Sequence, residues 1–164
     1  FRAAFPKMVG IKPNAFSDDA LLRADWFQTD LGPMIAVTDN THLHLLEFAD
    51  RKALPAELAR LQKAAGGIGF GSTAPLEQAM TELQAYFAGK CPTFQTPLAL
   101  HGTPFTKSVW HTLQQIPAGH IQTYATLAEQ MNQPTATRAV ARANGANQIA
   151  ILIPCHRIIG ANAN

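Results

Sequence analysis

The chain has 164 residues, 47% apolar and 15% charged, with a formal net charge of +2, which supplies one solid core or two small ones and excludes a wholly disordered chain. Two cysteines, Cys91 and Cys155, exclude a disulfide framework and the clustered thiolates of a structural zinc site, so no metal is expected. Residues 1–16 lack the long apolar core of a signal peptide and no apolar run is long enough to span a bilayer, which points to a soluble, cytoplasmic protein with no membrane partner.

In chain order, residues 26–48 read as strands. Met34-Ile35-Ala36-Val37 is a short apolar run, Thr38-Asp39-Asn40 a turn, and residues 41–48 mostly alternate, so a hairpin is the economical arrangement. Residues 54–65 carry Pro at the first turn and Leu54, Leu58 and Leu61 on one stripe, predicting an amphipathic helix ended by Gly66-Gly67. Leu76, Met80, Leu83 and Phe87 predict a second such helix, closing at Gly89. Residues 66–71 are rich in glycine but lack the Lys-Ser/Thr of a phosphate loop, and they read as a flexible connector. Pro92, Pro97 and Gly102 then break any helix, residues 94–100 are free to lie extended, and a domain boundary falls there, separating residues 19–96 from 97–164.

From Thr103 the pattern turns helical. Thr103-Pro104 caps and starts a helix with Phe105, Val109, Leu113 and Ile116 on its stripe, ending at Pro117-Ala118-Gly119. Thr123 caps a helix over residues 124–131, Asn132-Gln133-Pro134 turns the chain, and residues 135–144 form a second helix bearing Arg138 and Arg142, a helix-turn-helix arrangement. Residues 1–100 hold nine Lys/Arg against ten Asp/Glu, and residues 101–164 hold four against one. The second part is therefore a mildly basic surface suited to phosphates.

Residues 149–153, Ile-Ala-Ile-Leu-Ile, form a β-branched run predicted to be fully buried and rigid, stopping at Pro154. Cys155 and His156 follow directly, placing a thiol beside an imidazole at a chain reversal. A nucleophilic cysteine needs its thiolate, which a neighbouring imidazole or cation favours. Most free cysteines are small buried apolar residues, and adjacency alone leaves both readings open. Cys91 has no basic neighbour and reads as structural or incidental.

The string Ile153-Pro154-Cys155-His156-Arg157 closely resembles the acceptor-site signature of the 6-O-alkylguanine-DNA alkyltransferase (methylated-DNA–protein-cysteine methyltransferase) family. The resemblance runs from Pro97-Leu98-Ala99-Leu100 through Gly102-Thr103-Pro104-Phe105, Val109-Trp110, Ile116-Pro117-Ala118-Gly119, Thr123-Tyr124, Leu127-Ala128, Arg138-Ala139-Val140-Ala141 and Asn147 to Ile159. It implies an α/β (α+β) chain in which a small ribonuclease-H-like domain of sheet and helices precedes a mainly helical, winged-helix/helix-turn-helix-like catalytic domain. The implied activity is single-turnover, cofactor-free transfer of an alkyl group from 6-O-alkylguanine, or 4-O-alkylthymine, in double-stranded DNA, by a monomer. Cys155 would accept the group after base flipping from the minor groove, His156 would relay its proton, Tyr124 would donate to the departing base, and Asn147 would order the cysteine turn. Arg138 would fill the gap in the duplex, Ala139, Ala141, Ala143 and Gly145 would permit close approach, and Thr123, Thr137, Arg142 and Arg157 would complete the DNA contacts.

Residues 1–16 resemble the last turns of an AraC-type DNA-binding domain, which suggests the bacterial Ada type of regulator. The family continues past the position of Asn164 with a loop lining the guanine pocket and a helix whose Glu orients the histidine; a chain without them is expected to be a weakened acceptor. The alternative is a protein that binds alkylated DNA without accepting the group, against which the presence of Cys155 speaks. A cysteine hydrolase would instead want a distant His and an Asn or Asp partner.

Overall fold

The computed structural model describes residues 4, 5, 7, 10, 16–90 and 93–161. Most of the segment resembling an AraC-type domain lies outside the described residues, as does Cys91. The chain forms two compact units, Phe1–Ala99 and Leu100–Asn164.

The first unit is built on a four-stranded sheet of β1 (Leu22–Thr29), β2 (Gly32–Thr38), β3 (Leu43–Phe48) and β4 (Ile68–Phe70), in the order β3-β2-β1-β4. β1, β2 and β3 are antiparallel neighbours, and β4 returns parallel to β1 after the crossover helix α1 (Leu54–Ala65). The sheet starts earlier than the apolar run suggests: Leu22 and Ala24 are core residues, while Trp26 stays 42% exposed. Leu54, Leu58 and Leu61 of α1 bury against Leu22, Ala24, Ile35, Val37, Leu45 and Ile68. The alternate positions Met34, Ala36 and Leu46 are also fully buried, and α2 (Ala74–Phe87) packs against β2. A strand covered on both faces reads as a continuous apolar run rather than an alternating one, as residues 34–37 do.

Read from sequence as a flexible connector, residues 66–71 instead contain β4. Gly66 ends α1 at φ 76°, but Gly69 serves close packing, since a Cβ there would stand 2.6 Å from the Ser17 carbonyl oxygen. Of the segment 94–100, residues 97–99 run beside β3, with a bridge between Leu43 and Leu98. Leu43 donates to the Pro97 carbonyl at 2.8 Å and Ala99 to the Leu43 carbonyl at 2.9 Å, and the Glu82 carboxylate accepts from the Gln95 and Thr96 amides and the Thr96 hydroxyl.

A charged cluster is buried in the same unit. Glu47 and Glu57 are 1% and 2% exposed, and Arg51 reaches Glu47 at 2.9 Å and Glu57 at 3.8 Å. Desolvation outweighs the attraction of Arg51, and the Glu47 carboxyl is pushed up to about 7. Glu57 is raised for the same reason.

The second unit contains α3 (Pro104–Leu113), β5 (Gln122–Thr123), α4 (Tyr124–Gln130), α5 (Thr137–Gly145) and β6 (Ile158–Ile159). The Thr103 and Thr123 hydroxyls accept from the amides of Thr106 and Thr126, capping α3 and α4. α3 is shorter than its apolar stripe suggests: it gives way after Leu113 to tighter i→i+3 bonds that still bury Ile116. Pro134–Ala136 form a 3₁₀ turn, so α5 begins at Thr137 rather than Thr135. The Trp110 indole donates to the Ala143 carbonyl at 2.9 Å, pinning α5 to α3. β5 and β6 pair in parallel beside the helices.

A carboxyl whose folded pKa is raised binds its proton more tightly in the fold, so stability is full below the unfolded value near 4.5 and falls as pH rises toward 7. The loss from Glu47 is about 2–3 kcal/mol. Thermal melts from pH 5 to pH 8 are expected to show this decline, and Glu47→Gln is expected to flatten it.

Candidate active site

The segment leading to Cys155 is buried as its sequence predicts, with Ile149 2% and Ile153 0% exposed, but it is not a strand. Residues 149–153 fold back on themselves, the Ile153 amide donating to the Ile149 carbonyl at 3.1 Å. The reversal turns on Ile151, whose φ is 71°, with the Leu152 amide donating to the Ala150 carbonyl at 2.8 Å. This is a γ-turn at positive φ, and for a β-branched residue it is strained by about 1–3 kcal/mol. Pro154, at φ −81° and ψ 63°, makes the unstrained inverse γ-turn, across which Cys155 donates to the Ile153 carbonyl at 2.8 Å.

Asn147 holds this reversal together. Its side chain is 1% exposed, its Nδ2 donates to the carbonyls of Ile149 at 3.2 Å and Ile153 at 2.9 Å, and its Oδ1 accepts from the Ile149 amide at 3.0 Å. One amide thus pairs the Ile149 N–H, which a loop of apolar side chains would leave unsatisfied, and adds a second hydrogen bond to two carbonyls that each already accept one within the loop.

Cys155 is half-buried at the start of a single 3₁₀ turn, Cys155–Arg157. The adjacent His156 side chain is exposed, and its pKa lies below the ordinary imidazole value because of partial desolvation and then repulsion from the Arg157 guanidinium. Such an imidazole is neutral at pH 7 and able to take a proton. Arg157, expected from the resemblance to touch DNA, is instead 8% exposed, and its Nη1 donates to the Ile116 carbonyl at 2.6 Å. A guanidinium in that position is an internal tie between the Cys155–Arg157 turn and the chain just past α3.

Tyr124, half-buried at the start of α4, meets this turn through a residue not singled out from sequence. Asn144, 9% exposed on α5, places its Nδ2 3.5 Å from the Tyr124 hydroxyl and 3.4 Å from the Cys155 carbonyl. Its Oδ1 is buried with no hydrogen-bond partner, a loss of about 1–3 kcal/mol. The only sequence signal for Asn144 is its i+4 spacing from Val140 on the apolar face of α5, a polar residue where an apolar one belongs.

The outer face of α5 is arranged differently. Arg138, Ala139, Arg142 and Gly145 are exposed, Thr137 and Ala141 are half-buried, and Val140 and Ala143 face inward. Two guanidiniums separated by small residues give a basic surface that a nucleic-acid backbone can approach closely. Thr123 is half-buried and occupied as a cap. Among the described residues no group of three potential metal ligands occurs, and no helix is long and apolar enough to cross a membrane. A cleft of about 290 Å³ in the first unit, between residues 27–30 and 80–88, is lined by no thiol or imidazole.

Two measurements probe this geometry. Asn147→Ala leaves the buried Ile149 amide unpaired and strips the carbonyls of Ile149 and Ile153 of one of their two hydrogen bonds, and is expected to lower stability by about 1–3 kcal/mol in denaturant titration. Because the His156 pKa is lowered from 6.5, the part of the Cys155 alkylation rate that His156→Ala removes is expected to stay constant down to pH 6.5 and to fall only below it.

Comparison with known proteins agrees across both units. The family profile described as 6-O-methylguanine DNA methyltransferase, ribonuclease-like domain, matches residues 22–100, and that of the DNA binding domain matches residues 104–164. A methylated-DNA–protein-cysteine methyltransferase of Methanosarcina acetivorans is 37% identical over 83% of this chain and 82% of its own, and one of Shigella flexneri is 38% identical over 82% and 80%. Among solved structures, a Mycobacterium tuberculosis OGT in complex with DNA is similar at a TM-score of 0.72 and 32% identity, over 85% of this chain and 79% of that one.

Proposed function

The chain belongs to the 6-O-methylguanine DNA methyltransferase family, and from that membership we propose that it repairs double-stranded DNA by moving a methyl or other alkyl group from 6-O-alkylguanine, and by the same chemistry from 4-O-alkylthymine, irreversibly onto Cys155. The observation that carries this reading is the Cys155 turn itself: a half-buried thiol fixed by two γ-turns, next to a neutral imidazole, with Tyr124 joined to it through Asn144.

The 6-oxygen of guanine lies inside the stacked duplex, where a half-buried thiol cannot reach it, so the base is flipped out before it reacts. The exposed, basic face of α5 enters the minor groove, and Arg138 fills the space the base vacates. The small side chains of Ala139, Ala141 and Gly145 let the backbone of α5 approach the DNA. Thr137 and Arg142 add phosphate contacts.

In the chemical step the Cys155 sulfur forms a bond to the alkyl carbon as the carbon–oxygen bond breaks, the electron pair of that bond leaves with the guanine, and the guanine anion so formed takes a proton at its ring nitrogen from solvent. His156 takes up the thiol proton and passes it to solvent, and Tyr124 donates a hydrogen bond to the departing base. The product is a thioether, which has no facile route back to the thiol, so each molecule reacts once.

A duplex carrying a labelled methyl group on the 6-oxygen of guanine tests this. Label is expected to move to protein up to one per chain and to be absent with Cys155→Ala; transfer that survives Cys155→Ala would sink the assignment. Arg138→Ala is expected to slow transfer from duplex by about tenfold or more while largely sparing reaction with a free base analogue, and equal losses on the two substrates would refute the wedge role.

A further inference from the structure

Asn144 and Arg138 share α5, but one points into the protein and the other out of it. The orientation of the Asn144 amide is settled by its neighbour. A backbone carbonyl only accepts, so the atom 3.4 Å from the Cys155 oxygen must be the NH₂ group. The same nitrogen stands 3.5 Å from the Tyr124 hydroxyl. Toward Tyr124 the amide is therefore a donor, and the phenol oxygen is its acceptor.

That arrangement leaves the single proton of Tyr124 uncommitted to Asn144. Turning the amide over would offer the phenol an acceptor and capture its proton, but it would set Oδ1 against the Cys155 carbonyl. The acceptor turn itself thus blocks the unproductive polarity. The buried, unpartnered Oδ1 fits an orientation imposed by the Cys155 carbonyl rather than by a partner of its own. Both contacts are long, as hydrogen bonds in substrate-free sites commonly are before the reacting group arrives.

We infer that Asn144 is a positioning residue that fixes the polarity of the Tyr124 hydroxyl, reserving its proton for the base that leaves when Cys155 is alkylated. The inference rests on the alkyl-acceptor reading above. As the sulfur–carbon bond forms and the carbon–oxygen bond breaks, negative charge develops on the guanine; Tyr124 hydrogen-bonds to it without giving up its proton, and the thiol proton leaves through His156. A hydroxyl whose oxygen accepts a hydrogen bond is itself a stronger donor, so Asn144 acts on the leaving group through Tyr124. It also links the helix that meets DNA to the backbone of the nucleophile.

A double-mutant cycle separates this role from simple packing. Single-turnover methyl transfer to Cys155 is measured for the unaltered chain, Asn144→Leu, Tyr124→Phe and the double variant, each with 6-O-methylguanine duplex and with a duplex carrying an electron-poor purine analogue that leaves more readily. Asn144→Leu is expected to slow transfer from guanine roughly three- to tenfold, to add nothing once Tyr124 is Phe, and to matter less for the electron-poor analogue. The same loss in both backgrounds, or a loss independent of the leaving group, would show that Asn144 only packs. Asn144→Met provides the same comparison where Asn144→Leu does not fold. Absence of methyl from Cys155 of the unaltered chain would defeat the alkyl-acceptor reading itself, a result distinct from an additive cycle.

Discussion

The side-chain amide of Asn147 closes the loop on which the site depends. Residues 149–153 are apolar and buried, so they bring no polar groups of their own to satisfy a backbone that has left regular structure. Asn147 supplies three hydrogen bonds to that backbone from a single side chain. At about 1 kcal/mol each, they are of the same size as the strain of about 1–3 kcal/mol held at Ile151. The loop is therefore a balanced structure, in which the burial of its isoleucines holds it in the protein and Asn147 decides the path of its backbone. Pro154 then hands on a fixed direction, and Cys155 starts its turn from there.

The two units handle buried polarity in different ways. In the first, Glu47 and Glu57 crowd one arginine, desolvation exceeds the attraction, and the cluster weakens the fold as pH rises from about 4.5 toward 7. In the second, the buried polar groups connect elements that must act together. Arg157 joins the acceptor turn to the end of α3, Trp110 joins α3 to α5, and Asn144 joins α5 to both Tyr124 and Cys155. On the proposed function, a displacement of α5 by DNA would be felt at Cys155 through Asn144.

Much of this was legible in the sequence because the signals were local. The Pro and Gly that bracket α1, the caps Thr103 and Thr123, and the apolar stripes of α1 and α2 each act over a few residues, and the elements stand where those signals put them. Four features were not legible, three of them because they depend on a distant partner. β4 hides among glycines because Gly69 answers to Ser17, far away in sequence. Residues 149–153 have the composition of a strand, but Asn147 reroutes their hydrogen bonds into a reversal. Arg157, beside the thiol in a basic region, reads as a DNA contact until Ile116 is seen to receive it. Asn144 passed unremarked because its meaning lies entirely in Tyr124 and Cys155.

The central claim is that the Asn147-closed reversal, rather than the thiol and imidazole alone, makes Cys155 an acceptor. The most direct test is the single-turnover methylation rate of Asn147→Ala with a free 6-O-methylguanine analogue, at a temperature where circular dichroism shows the variant fully folded. With DNA binding removed from the comparison, the account predicts a rate at least about tenfold below that of the unaltered chain, the scale on which small misplacements of reacting groups act. A folded Asn147→Ala protein that accepts methyl groups at the unaltered rate would contradict it.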